Sequence, residues 1–147
     1  MTASIDLTTT EMAAAIAVGT LDPVITVTAA YARIGAREPA VYAWAHLDRE
    51  RALRDAAVMA DEAKAGKLRG PLHGVPVGIK DVFHAEGMPM LANSKTMDPA
   101  ATYTDSGVAA ALRRAGAIIL GKCETVEFGP GASDVATRRR SGTSGRR

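Results

Sequence analysis

A lysine followed at once by an aspartate, Lys80-Asp81, closes a run of small and apolar residues that starts at Gly70: Gly-Pro-Leu-His-Gly-Val-Pro-Val-Gly-Ile-Lys-Asp. Residues 75–79 read as a buried strand interrupted by Pro76 and Gly78, so Lys80 emerges at its end. An amine delivered from a dry strand is one of the few routes to an uncharged base near neutral pH. Free lysine titrates near ~10.4, and desolvation lowers that by several units. The plainer alternative is a surface lysine that ends a strand, the commoner fate of this residue type.

Other chemistry-bearing residues are weaker candidates. His46, His73 and His84 fit no zinc spacing, and no cysteine pair assists them. His73, in the Leu-His-Gly turn, suits bracing of backbone groups through its ring nitrogens better than a chemical role. The lone Cys123 follows an Ile-Ile-Leu run and reads as packing; a single cysteine fits a reducing compartment. Gly116 to Cys123 matches G-x-x-x-x-G-K, but its Ile-Ile-Leu interior wants to be a strand and the Mg²⁺-binding hydroxyl is missing, so nucleotide binding is rejected. Ser94, beside Asn93, is expected to shape a pocket entrance rather than to attack, because no base is evident for it. Ser141 and Ser144 sit among Arg, Gly and Thr with neither base nor oxyanion donors in view, and read as tail.

The elements that must position these residues follow from punctuation and periodicity. Thr8-x-x-Glu11 is a capping box opening a short helix that Gly19 ends. Asp22-Pro23 opens a second helix carrying the stripe Val24, Val27, Tyr31 and Ile34; Pro39 should break it, leaving residues 41–45 as a strand. Asp48 caps a long helix to about Ala65, with Glu50/Arg54 and Arg51/Asp55 pairs on its wet face and Gly66 beyond. After the 75–79 strand comes a long irregular segment from Asp81 to Asp105, then a helix capped by Thr104 or Asp105, Gly116, and a strand over residues 117–120. Strand, helix and strand in this order predict an α/β layered domain.

The Gly70–Asp81 run resembles the lysine motif of the amidase signature family. The likeness continues through Ala109-Ala-Ala-Leu-Arg-Arg-Ala-Gly-Ala-Ile-Ile-Leu-Gly-Lys122 and the pair Glu127-Phe128. Upstream, it includes Arg33–Pro39 with residues 41–45, so that about residues 8 to 129 are covered. The resemblance implies the N-terminal part of that family's layered α/β fold, helices packed on a mixed sheet, incomplete within this chain. It also implies Lys80 as the catalytic lysine of a Ser–cis-Ser–Lys triad that hydrolyses carboxamide C–N bonds, with no metal or organic cofactor. The family's glycine- and serine-rich stretch, which supplies the cis-serine and oxyanion amides, is not matched by Ser141-Gly-Thr-Ser-Gly145. The expectation is therefore a fragment holding only the lysine and inactive alone, with a small-molecule amide as substrate of the full-length enzyme. Two alternatives stay open. One is the glutamine-hydrolysing component of a tRNA-dependent amidotransferase, working with amidotransferase partner subunits. The other is a noncatalytic module that binds a partner or its own copy through exposed sheet edges. A shift of reading frame after about Gly129 would explain the abrupt departure, and the nucleotide sequence decides it.

The division expected is residues 1–131 as a family-domain portion and 132–147 as a basic, disordered tail. The formal charge is +2, but five arginines and Asp134 lie from Ala132 onward, and without them the body carries −2. The basic character thus belongs to the tail; no basic face with aromatics suggests nucleic-acid binding. No signal-peptide pattern and no membrane-spanning run occur, so a cytoplasmic protein is expected.

Overall fold

The computed structural model describes residues 6–101 and 103–129. Ser141, Ser144 and the Arg138–Arg140 cluster lie outside the described residues. The elements run α1 (Thr9–Ala17), α2 (Pro23–Val41), β1 (Trp44–Leu47), α3 (Arg49–Lys64), β2 (Pro76–Lys80), α4 (Gly107–Arg114) and β3 (Ile118–Cys123).

Each helix begins where a polar side chain can satisfy free backbone N–H groups. At α1 both halves of the Thr8/Glu11 capping box form, and the Thr8 bonds hold the Glu11 carboxyl below its usual range. Asp22 accepts from Val24 N at 2.7 Å ahead of Pro23, and Asp48 accepts from Arg51 N at 3.0 Å. The cap of α4 is Ser106 rather than Thr104 or Asp105. Asp105 is otherwise engaged: one oxygen accepts Glu86 N at 2.7 Å and the other meets Arg113 Nε at 3.0 Å.

Pro39 does not break α2, which continues to Val41. A proline so near a helix end costs little, because the one carbonyl it leaves unpaired, that of Gly35, lies at an exposed position where water can reach it. The stop comes at Tyr42, in the left-handed region at φ 54°, while the Glu38 carboxylate accepts from Ala43 N (3.2 Å) and Trp44 N (3.0 Å). The strand accordingly starts at Trp44, later than the sequence suggests.

The sheet has the order β1-β3-β2, with β1 antiparallel and β2 parallel to β3. The parallel pair is joined through α4, the crossover that parallel strands require. Among the described strands β3 alone has a neighbour on each side, and its residues are buried from Ile118 to Lys122. One face carries Val27, Tyr31, Ala52, Ala56 and Met59 of α2 and α3 against Ile118 and Leu120; the other packs Ala85, Met88 and Ala109 against Ile79 and Ile119. The Tyr31 hydroxyl donates to Leu120 O at 2.6 Å, and burial pushes its phenol up to about 12.

Two glycines are dictated by close approach. A Cβ on Gly121 would run into the His46 carbonyl on β1. One on Gly78 would lie 2.6 Å from Cys123 Sγ and 2.8 Å from the Trp44 ring. The residue two before Lys80 must therefore be glycine for β2 to lie flat against its neighbours.

Candidate functional site

The Gly70–Asp81 run folds as the sequence suggests, a turn leading into a strand. Its start is anchored by Arg69, whose guanidinium grips Glu62 of α3 through two contacts of 2.7 Å. That fork holds the Glu62 carboxyl below its usual range. His73 is buried and braces the turn: its Nδ1 accepts Arg69 N at 3.1 Å, so Nε2 carries the hydrogen donated to Met59 O at 2.9 Å. The structural reading of this histidine therefore holds.

Lys80 ends β2, with its Nζ donating to Gly129 O at 3.1 Å. The water-poor setting expected for it is not present, for the residue is exposed. The cause is topological. Among the described strands β2 lies at the edge, and β3, not β2, receives the central position. Two surface grooves, of about 440 and 510 Å³, flank α2, and Lys80 walls neither.

The lysine that is buried is Lys122, with no exposed side-chain surface; its Nζ meets Asp81 Oδ1 at 2.9 Å and donates to Pro89 O at 3.3 Å. Asp81, 2 % exposed, spends every polar group it has. Its N–H donates to Cys123 O (2.9 Å), its carbonyl accepts Ala92 N (3.1 Å), and Oδ2 accepts Leu91 N (3.2 Å). The residue next to Lys80 is thus locked to both β3 and the 89–92 segment. Sequence reasoning missed this pair. The available signal was one acid and one base, each adjoining an apolar strand, in strands that pair in parallel.

The 89–94 segment closes on a second turn. Ala92 and Asn93 lie in the left-handed region at φ 47° and 53°, as does Phe128 at 52°, and Phe128 N donates to Ala92 O at 2.9 Å. Three of the four described non-glycine residues with positive φ therefore cluster beside Lys80, where such strain persists only if surroundings over-determine it. Ser94 is buried; its hydroxyl donates to Glu127 Oε1 at 2.8 Å, leaving Thr96 Oγ1 (2.9 Å) and Thr96 N (3.3 Å) to donate to it. A serine oxygen with both lone pairs taken is not poised to attack.

The remaining candidates stand apart. Cys123 is half-buried, and desolvation, with Glu38 adding to it, pushes its thiol up, away from the reactive thiolate. His84 stacks on Tyr103 at 4.0 Å, and His46 pairs with Lys122 across β1 and β3. Among the described residues, no three His, Cys, Asp or Glu side chains gather where a metal ion would be held. No described helix is long and apolar enough to cross a membrane.

Comparison with known proteins matches this arrangement to one family. The family model described as Amidase matches residues 26–138, running past Gly129. The chain is similar to a glutamyl-tRNA(Gln) amidotransferase component, the A subunit, of Streptomyces coelicolor, 40% identical over 88% of this chain and 26% of that one. An acylamidase of Rhodococcus erythropolis is 39% identical over 84% of this chain and 26% of its own length. Among solved structures, the peptide amidase of Stenotrophomonas maltophilia superposes with a TM-score of 0.76 at 33% identity, over 82% of this chain and 25% of that one. The chain spans about a quarter of the length of these relatives. It belongs to the amidase family.

Proposed function

We propose, from that membership, that the chain carries the lysine portion of a hydrolase acting on carboxamide C–N bonds, with Lys80 as its catalytic lysine. The carrying observation is the position of Lys80, at the end of the one strand whose sequence matches the lysine motif, beside a residue pinned on four sides. In the Ser–cis-Ser–Lys scheme a serine attacks the amide carbonyl while its proton passes through a second serine to the lysine amine. That amine then returns a proton to the departing ammonia or amine, and water releases the acyl group. Preorganised backbone N–H groups hold the oxyanion meanwhile. Neither serine is supplied by the described residues, and the exposure of Lys80 fits an amine that the remainder of such a domain would cover. Residues 1–131 form the domain portion in this reading, and 132–147 a basic tail.

The chain by itself is expected to hydrolyse no carboxamide. A chimera in which residues 8–129 replace the matching segment of the Rhodococcus acylamidase is expected to do so. A folded chimera without turnover would contradict the proposal, as would turnover by the lone chain. The 40% identity to the Streptomyces amidotransferase component favours a second reading, a glutamine-hydrolysing protein that works with partner subunits. Co-purification of the tagged chain with such subunits from its own host would select it. A cytoplasmic location fits the lone Cys123, and no bound metal or organic cofactor is required by either scheme.

A further inference from the structure

Glu127 and Ser94 take no part in the scheme above, yet one short turn connects them to the lysine. Glu127 Oε1 accepts the Ser94 hydroxyl at 2.8 Å, and Ser94 is itself fixed by Thr96 and by its N–H donating to Leu91 O at 2.8 Å. Two residues beyond Glu127 lies Gly129, whose carbonyl accepts from Lys80 Nζ at 3.1 Å. Between them Phe128 sits at φ 52° and donates to Ala92 O at 2.9 Å; Gly129 N donates back to Val126 O at 2.9 Å. A strained turn of this kind keeps its shape only while something outside it holds it. Within the 126–129 turn, the hydrogen bond from Ser94 to Glu127 is the side-chain tie to the 89–94 segment.

We propose that Glu127, held by Ser94, is a positioning residue for Lys80: its carboxylate fixes the 126–129 turn so that the Gly129 carbonyl restrains the lysine amine. Contacts run in a closed circuit from Lys80 through Asp81 to Ala92, across to Phe128 and Gly129, and back to Nζ. Ser94–Glu127 braces that circuit from outside. The value of the restraint to catalysis rests on the proposed role of Lys80, but the restraint itself can be measured without any turnover.

The test uses the full chain with ¹³C-ε-labelled lysine, the Lys80 signal being assigned by its loss in Lys80→Arg. Glu127→Ala and Ser94→Ala are expected to raise the mobility of the Lys80 Cε. Its rate of acetylation by acetic anhydride should rise severalfold, while Lys67 and the backbone amides of β2 and β3 keep their wild-type values. Glu127→Gln, whose amide oxygen still accepts from Ser94, is expected to restore the wild-type behaviour of Lys80. An unchanged Lys80 in the folded alanine variants would overturn the proposal, and so would equal loosening in Glu127→Gln. If Glu127→Ala fails to fold, Ser94→Ala decides alone. Loss of amide hydrolysis in a chimera would strike the role of Lys80 and leave this measurement standing.

Discussion

Two lysines stand on neighbouring strands within one residue of each other in register, Ile79 opposite Lys122 and Lys80 opposite Cys123. Lys122 is sealed in the centre of the sheet with its charge met by Asp81; Lys80 projects from the edge strand and meets a backbone carbonyl. The same residue type is sealed and paired in one place and open to solvent in the other. Strand order makes the difference. A charge on the middle strand must be paired to be tolerated at all, whereas a charge on the edge strand keeps its contact with water until something covers it.

The comparison predicts unequal costs. Lys122→Met leaves Asp81 buried without its partner and should lower stability by about 3–5 kcal/mol, read as a shift of the urea midpoint at constant slope. The double variant Asp81→Asn/Lys122→Met, which buries no charge and keeps an acceptor for Leu91, should recover most of that loss. A single Lys122→Met as stable as the wild type would erase the distinction between the two lysines.

Tyr31 tests the central strand from its other side. Tyr31→Phe removes the bond to Leu120 O and should cost about 1–1.5 kcal/mol. Its phenol also gives a pH signature. The folded value is raised to about 12 from the ordinary 10.0, so the protonated form is favoured by folding. That contribution is complete below pH 10 and drains as pH rises from 10 to about 12, because the unfolded chain ionises first. Denaturation midpoints across that window should fall for the wild type and fall less for Tyr31→Phe.

Smaller effects are expected at the edge. Ala92→Gly relieves a left-handed residue but removes a buried methyl and adds unfolded-chain entropy, so the opposing terms nearly cancel and thermal melts should move by less than about 0.5 kcal/mol. Lys80→Ala should move the same melts as little, within about 0.5 kcal/mol, since a surface side chain is removed. A large destabilisation by Lys80→Ala would make this lysine structural too.

Much of this frame is legible in the residues. Caps at Thr8, Asp22 and Asp48, the β2 strand and the α/β order all follow from local signals, as does the bracing role of His73. The reading fails where a distant partner decides. Pro39 reads as a breaker, but Glu38 reaches past it to cap the chain entering β1. Asp105 reads as a cap, but Arg113 and Glu86 claim it. Position 80 reads as dry because an apolar run precedes it; dryness depends on which strand becomes central, and that is a property of pairing rather than of the run. The Asp81–Lys122 pair is missed for the same reason: an acid and a base beside apolar runs are in view, but the pairing of β2 with β3 that brings them together is not.

The most direct test is amide hydrolysis by the acylamidase chimera bearing Lys80→Ala, with its melting midpoint measured on the same preparation. If Lys80 is the catalytic amine, turnover falls by about 10²-fold or more while the midpoint stays within a degree or so of the parent chimera. Turnover that survives the loss of the amine, in a protein equally well folded, would contradict that role.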